Sequence, residues 1–448
     1  MRKHPRKKAP KGTKTLIISF FIILFAGACV ALYLPLRPTY SESENRELTK
    51  FPTLTFASLF DGSYFNGIST WYADTFPMRD MFININAEIK SLYGIGDSIS
   101  GFADNLEEEI PEEGDAPATV PDGGENAPDD DVLVQNLGTV LIVDDAAYEY
   151  YTFSRSTADK YAAAVNNAAA QLKGKARVFD MIVPTSIDIV LNPSVRKDLK
   201  SSDQKKAINY IYSVISADAV KVNIFDSIYA HRNEYIYFRT DHHWTARGAY
   251  YAYVEYAKTA GLKPALPSDF EEKNFGEFMG AFYKDTDKNP ALEKNPDTVY
   301  AYAPKGNVKL TYTDYKGNTV NWKVIADVSD WKIGTKYSTF IGGDNPYVHI
   351  VNSDITDGSS CVVIKESFGN AFVPFLTANY AEIHVIDYRY WNGKLADFVT
   401  SNDVDDVIFI NNISATRNSS LVEKLGKLSY RIGNFSKHNN SPYLLYSQ

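Results

Sequence analysis

The sequence predicts an α/β protein in which a parallel sheet is flanked by helices, with a β-hairpin insertion and one N-terminal transmembrane helix ahead of it. Beyond residue 132, short apolar runs alternate with amphipathic stretches at helical spacing, which is the pattern of βα units. Residues Thr15–Leu34 carry no charge over twenty positions. The 448 residues are 44% hydrophobic and 23% charged, a composition that excludes a disordered or collagen-like chain.

The N-terminal element is read first. At ~1.5 Å per residue, Thr15–Leu34 spans roughly 30 Å, the thickness of a bilayer core. Seven basic residues precede it in positions 1–14, and the acidic stretch SESENRE follows at 41–47. This asymmetry places the N-terminus in the cytoplasm and the bulk of the chain outside it, anchored in the cell membrane by a single pass. A cleaved signal peptide and lipidation at Cys29 are the alternatives, and both leave the folded part on the same side. The remaining cysteine is Cys361, and the place of Cys29 in the apolar run argues against an intrachain disulfide.

Twelve acids fall between Asp104 and Asp131, with no Lys or Arg among them. Removing these twelve and the seven basic residues from the net charge of −9 leaves −4 for the rest. No nucleic-acid surface is indicated.

Residues 35–101 combine helical signals at Asn66–Tyr72 and Met81–Tyr93 with turn signals, and read as a membrane-proximal collar. Residues 102–131, rich in acids, Pro and Gly, read as a disordered linker or loop. The α/β domain is expected over 132–448. Val140–Val143 reads as a buried strand, followed by a helix with Ser156 as N-cap and apolar residues from Ala158 to Leu172. Val178–Val183 and Val220–Phe225 read as strands on either side of a helix at Ser202–Ser216. Tyr235–Phe238 is a short strand candidate, and Thr245–Ala260 a helix ended by Gly261. Residues 263–340 hold a polar excursion over 263–300 and a hairpin of Val308–Thr313 with Thr319–Ile325. Cys361–Lys365, Ile383–Ile386 and Val407–Ile410 complete the buried sheet.

Seven histidines restrict the choice of a general base. The densest polar cluster is Thr240-Asp241-His242-His243-Trp244-Thr245, between a strand candidate and a helix. In an extended segment Asp241 and His243 project to the same side, so the carboxylate can orient the imidazole. Packing or helix capping is the bland reading of the same residues. A second element runs from the apolar strand Cys361–Lys365 through Glu366-Ser367-Phe368-Gly369-Asn370 into a helix. That layout lifts a serine hydroxyl above a sheet as a nucleophile elbow does, although Lys365 stands in place of the first glycine of G-x-S-x-G. An N-cap serine would look the same.

The segments TDHHWT (240–245), ESFGNAFVPFL (366–376), SESENREL (41–48), DGSYFNGISTWYADTFPMRD (61–80) and IDYRYWNG (386–393) resemble the DHHW family of membrane-anchored bacterial proteins. That family is similar to the SGNH-like polysaccharide O-acetyltransferases of the alginate acetylation machinery, which generally lack the second histidine found here at 242. The resemblance implies an SGNH-like sheet with Asp241 and His243 as the D-x-H pair and Ser367 as nucleophile. The order Asp, His, Ser is reversed relative to ordinary SGNH hydrolases, as in a circular permutation.

For the oxyanion or substrate, the residues considered are the Ser367 N–H, Asn370, Gly342, Gly343, Asn411, Arg389, His242 and Trp244; turn chemistry or ion pairing is the plainer use of most of them. Metal ligation by Asp241, His242 and His243 is disfavoured because adjacent side chains diverge. No cofactor is expected.

The expected function is extracytoplasmic O-acetyl transfer to hydroxyls of a cell-surface or exported polysaccharide, and the family resemblance implies a multi-spanning membrane acyltransferase that supplies the acetyl group. A carbohydrate esterase using the same site, or a non-catalytic polysaccharide-binding or assembly subunit, is the alternative.

Overall fold

A computed structural model describes residues 37, 40–41, 46–60, 63–77, 110–111, 134–137 and 140–429. The chain divides into two compact units, Met1–Ser98 and Ile99–Gln448. Among the described residues no helix is long and apolar enough to cross a membrane. The expected span Thr15–Leu34, the helical signal at 81–93 and the acidic stretch apart from 110–111 all lie outside the described residues.

In the first unit, helix Ser63–Asp74 contains the predicted Asn66–Tyr72. Buried Arg37 donates to Thr75 Oγ1 at 2.8 Å, and its guanidinium lies 4.1 Å from the Trp71 ring centre.

The second unit is built on an eight-stranded sheet. In chain order its strands are β1 (Arg177–Val183), β2 (Ala219–Lys221), β3 (Val308–Thr313), β4 (Thr319–Trp322), β5 (Tyr347–Asn352), β6 (Ser360–Lys365), β7 (Glu382–Asp387) and β8 (Asp406–Asn412). They lie side by side as β4-β3-β5-β7-β6-β8-β1-β2. The run from β7 to β2 is parallel, whereas β5, β3 and β4 join it antiparallel. The predicted hairpin therefore forms the edge of a mixed sheet and is not an insertion. It docks on β5, a strand whose alternating Tyr-Val-His-Ile-Val-Asn pattern gave no continuous apolar run. The inner parallel strands β7, β6, β8 and β1 are buried on both faces, and every residue of β6 is buried.

Helices follow the predicted apolar faces closely. Helix Arg155–Leu172 buries Ala158, Tyr161, Ala162, Val165, Ala168, Ala169 and Leu172, but starts earlier than expected, with Ser154 and not Ser156 at its N-cap. The predicted Ser202–Ser216 helix is Gln204–Val214, capped by Asp203. Helix Ala246–Ala260 begins at Thr245, whose side chain accepts from the Gly248 N–H, and ends at Gly261 in the left-handed conformation, φ 76°.

The chain differs in detail from the expected course at four places. Val140–Val143 belongs to a separate antiparallel sheet with 134–137 and Ala146–Glu149, and the Asp144-Asp145 turn that follows it leaves no room for a crossover helix. The second half of Val220–Phe225 turns into a short helix, Phe225–Tyr229, leaving only Ala219–Lys221 as strand. Tyr235–Phe238 makes a single bridge, Tyr237 to Trp244, so the chain folds back on itself with Asp241 and His242 at the tip. The polar 263–300 segment is ordered: Phe270–Phe278 pairs antiparallel with Asp297–Pro304. Its buried Phe270, Phe275, Phe278, Val299 and Ala301 are interleaved with solvent-facing polar residues, and that alternation hides the strands in a composition reading.

Candidate active site

The loop 239–245 is fixed from below by a buried carboxylate. Asp297 accepts from the Arg239 N–H (2.9 Å), the Thr240 N–H (2.7 Å), the Thr240 hydroxyl (2.6 Å) and the Tyr235 hydroxyl (2.6 Å). This holds Asp241 rigid. Its Oδ2 accepts from the Ala281 N–H at 2.8 Å, while Oδ1 accepts from the His243 N–H at 3.0 Å and faces His243 Nδ1 at 2.6 Å. Burial works to raise the Asp241 pKa, but the imidazoles of His243 and His242 and these hydrogen bonds outweigh it. The carboxyl is held well below its ordinary range.

An ionised carboxylate only accepts, so Nδ1 of His243 carries the proton and Nε2 is left as acceptor. That Nε2 lies 2.7 Å from Ser367 Oγ. The imidazole is buried, with Tyr337 stacked on it at 4.0 Å and 15° and Phe368 5.0 Å away.

Ser367 stands just past the carboxyl end of β6, where parallel sheets present ligands, and ahead of helix Gly369–Leu376. The layout is that of an elbow without its strain, since Ser367 keeps a negative φ. Gly369 allows the close turn, because a Cβ there would sit 2.6 Å from Lys365 Cβ. Glu366 ties the turn together: Oε1 accepts from the Asn412 N–H at 2.9 Å and Oε2 from the Phe368 N–H at 3.2 Å, with Ser367 Oγ 3.3 Å from Oε2. Burial pushes the Glu366 pKa up. With the Phe368 N–H occupied, the Ser367 N–H is the backbone donor of this turn with no hydrogen-bond partner among the described residues.

The remaining sequence-predicted residues divide by position. Trp244 is fully buried and donates from Nε1 to the Phe368 carbonyl at 2.9 Å, linking the histidine loop to the serine turn. His242 is half-buried with its ring 3.9 Å from that of His243; desolvation and that neighbour lower its pKa. Asn370 is buried, and its amide donates to Asp344 at 2.9 Å. Gly342 and Gly343, both at positive φ, shape the turn that delivers Asp344. Asn411 is buried against Tyr161.

Arg389 takes the ion-paired alternative. Its guanidinium is committed to Asp387 (2.6 Å) and Asp344 (2.8 Å), and the same two carboxylates hold buried Lys365 at 2.9 and 3.0 Å. Two cations and two anions thus close a network under the serine turn. Burial opposes charge on Asp344, but Lys365 and Arg389 hold it well below the usual carboxylate range.

Asp241, His242 and His243 offer ligand atoms within 4.8 Å of one another. Both His243 nitrogens and both Asp241 oxygens are already hydrogen-bonded, so an ion there would have to dismantle this arrangement. Tyr337 and Asp297 carry no local sequence signal of their roles. Glu366 lies inside the ESFGN segment but is indistinguishable there from a surface acid.

The sequence model for the family described as DHHW protein matches residues 44–126 and 117–386. Among solved structures, a DHHW family protein from Eubacterium siraeum DSM 15702 is 28% identical, with a TM-score of 0.60 over 66% of this chain and 96% of that one. Bacillus cereus PatB1 with a sulfonyl adduct is 19% identical, with a TM-score of 0.51 over 64% of this chain and 97% of that one, and it shares the fold. None of the curated proteins matches the sequence.

Proposed function

The chain belongs to the DHHW family, and from that premise we propose that it is a serine-dependent O-acyltransferase placing acetyl groups on hydroxyls of a cell-surface or exported polysaccharide. The observation that carries the proposal is the pair of short contacts on one imidazole, 2.6 Å to Asp241 and 2.7 Å to Ser367. Ser367 Oγ attacks the carbonyl carbon of an acetyl donor as its proton passes to His243 Nε2, with Asp241 stabilising the imidazolium. The Ser367 N–H faces the developing oxyanion. The tetrahedral intermediate collapses, the leaving group takes the proton from His243, and an acetyl-serine remains. A sugar hydroxyl then gives its proton to His243 and attacks the acetyl carbon, and the departing Ser367 oxygen is reprotonated.

The uncharged run Thr15–Leu34 and the basic residues before it support an extracytoplasmic domain on a single-pass anchor. Acetyl-CoA is cytoplasmic, so a multi-spanning membrane acyltransferase is the proposed source of the acetyl group.

Sulfonyl groups trap activated nucleophiles, and PatB1 carries such an adduct. A sulfonyl fluoride is therefore expected to label Ser367, and Ser367→Ala and His243→Ala to abolish labelling and lower the acetyl content of the surface glycan. Unchanged glycan acetylation in both variants would refute the reading. Release of acetate with no transfer to sugar would identify an esterase.

A further inference from the structure

Two histidines outside the Ser367 site face each other across the antiparallel pair β5 and β7. His349 and His384 are register partners, and their rings lie 4.8 Å apart and 5° from parallel. Glu382, two residues before His384, projects on the same side of β7. Its Oε1 lies 2.6 Å from His349 Nε2 and 3.6 Å from His384 Nε2. One ligand atom from each of the three residues lies within 4.8 Å of the others.

A surface ion pair between His349 and Glu382 accounts for the first of these contacts only. His384 is 1% exposed, and its Nε2 is buried without a hydrogen-bond partner. Its Nδ1 lies 2.8 Å from the Tyr347 hydroxyl, and Phe398 braces the ring edge-on at 5.1 Å. Buried polar atoms without partners are rare and unfavourable. An imidazole fixed at one nitrogen by a hydroxyl, with the other turned toward a carboxylate and a second imidazole, is built like a metal ligand with its supporting shell.

We propose that His349 Nε2, a Glu382 carboxylate oxygen and His384 Nε2 bind a divalent transition ion of the zinc class, with water completing the coordination. Two imidazoles and one carboxylate suit zinc, cobalt, nickel or copper better than magnesium or calcium. With bonds of ~2.0–2.1 Å, a tetrahedral ion sets its ligand atoms about 3.3 Å apart. The observed separations of 2.6 and 3.6 Å bracket that value. Closure requires one imidazole to turn, and the one exposed enough to do so is His349, whose side chain is 30% exposed. The site is distinct from the nucleophile. His384 pairs with Val362 on β6, five residues before Ser367, or about 16 Å away at ~3.3 Å per residue. An ion there ties β5 to β7 where the sheet changes from parallel to antiparallel.

Titration of the full-length chain with cobalt, followed by its d–d absorption, and then competition with zinc, tests the site. One equivalent of tightly bound ion with a tetrahedral band is expected, together with a zinc-dependent rise in melting temperature. His349→Ala and Glu382→Gln, both at partly exposed positions, should each weaken binding by at least about tenfold with circular dichroism unchanged. His242→Ala should leave binding intact. Failure of the native chain to bind stoichiometrically, a band that survives His349→Ala, or one lost instead in His242→Ala overturns the proposal.

Discussion

Tyr337 lies flat on His243, ring centres 4.0 Å apart, while its hydroxyl donates to the Ser367 carbonyl at 3.1 Å. One side chain thus fixes both the plane of the imidazole and the height of the serine turn. Tyr337→Phe keeps the stack and loses the hydrogen bond to the Ser367 carbonyl, a change of ~0.5–1.5 kcal/mol, so acylation should slow by about tenfold or less. Tyr337→Ala opens a cavity beside His243, costing ~3–5 kcal/mol of stability, and frees the ring. Its acylation rate should fall by more than about 10²-fold. Burst kinetics with an activated acetyl ester, read beside urea unfolding, separates the two, and equal losses in both variants would show that the stack contributes nothing.

Gly280 packs on Asp241 so closely that a Cβ would stand 2.2 Å from Asp241 Cβ and 2.3 Å from Oδ2. The contact is with a carboxylate held on both oxygens, which has little freedom to yield. Gly280→Ala should therefore displace Asp241 and lower acylation on the order of 10³–10⁴-fold, the scale of losing the orienting acid. Sulfonyl labelling of Ser367 at the native rate in Gly280→Ala would show that Asp241 does not orient His243.

The pieces of the site visible in sequence are those fixed by short-range geometry. Asp241 and His243 are two residues apart on extended backbone, and Ser367 follows an apolar strand, so each could be placed without tertiary knowledge. What was hidden depends on partners far along the chain. Asp297 pins a loop 57 residues before it, and Tyr337 reaches Ser367 across 30. Arg389, in IDYRYWNG, looked available for a sugar because its neutralising partner Asp344 arrives from another loop. In the fold, β6, β7 and β8 are buried on both faces and read as continuous apolar runs. β5 and Phe270–Phe278 have one wetter face, so their alternation resembles ordinary polar sequence.

Asp387 is fully buried between Lys365 and Arg389. Asp387→Asn leaves two cations facing Asp344 alone and should destabilise the protein by ~3–5 kcal/mol, as breaking one side of a buried ion pair does. Adding Lys365→Met removes the excess charge with a side chain of similar length and should recover most of that loss. Urea unfolding of both single variants and the double variant gives the coupling energy. A double variant no more stable than Asp387→Asn would mean that charge balance under the serine turn is not what the network supplies.

Asp180 on β1 predicts a pH dependence of stability opposite to that of an ordinary paired acid. Burial pushes its carboxyl up to about 7, against a hydrogen bond from the Tyr161 hydroxyl at 2.6 Å, and its second oxygen has no partner. The unfolded chain titrates this group near ~3.9. Between that value and about 7 the folded state holds a proton that the unfolded state has lost, so stability falls as pH rises through this window. A shift of about three pH units corresponds to at most ~4 kcal/mol. Asp180→Asn keeps an acceptor for Tyr161 and cannot ionise, so its stability should exceed the native value above about pH 7 and lose this slope. If the slope persists in Asp180→Asn, it belongs to another buried acid. Asp188, raised to about 6 by burial, is the next to substitute, and its narrower window would end the decline at a lower pH.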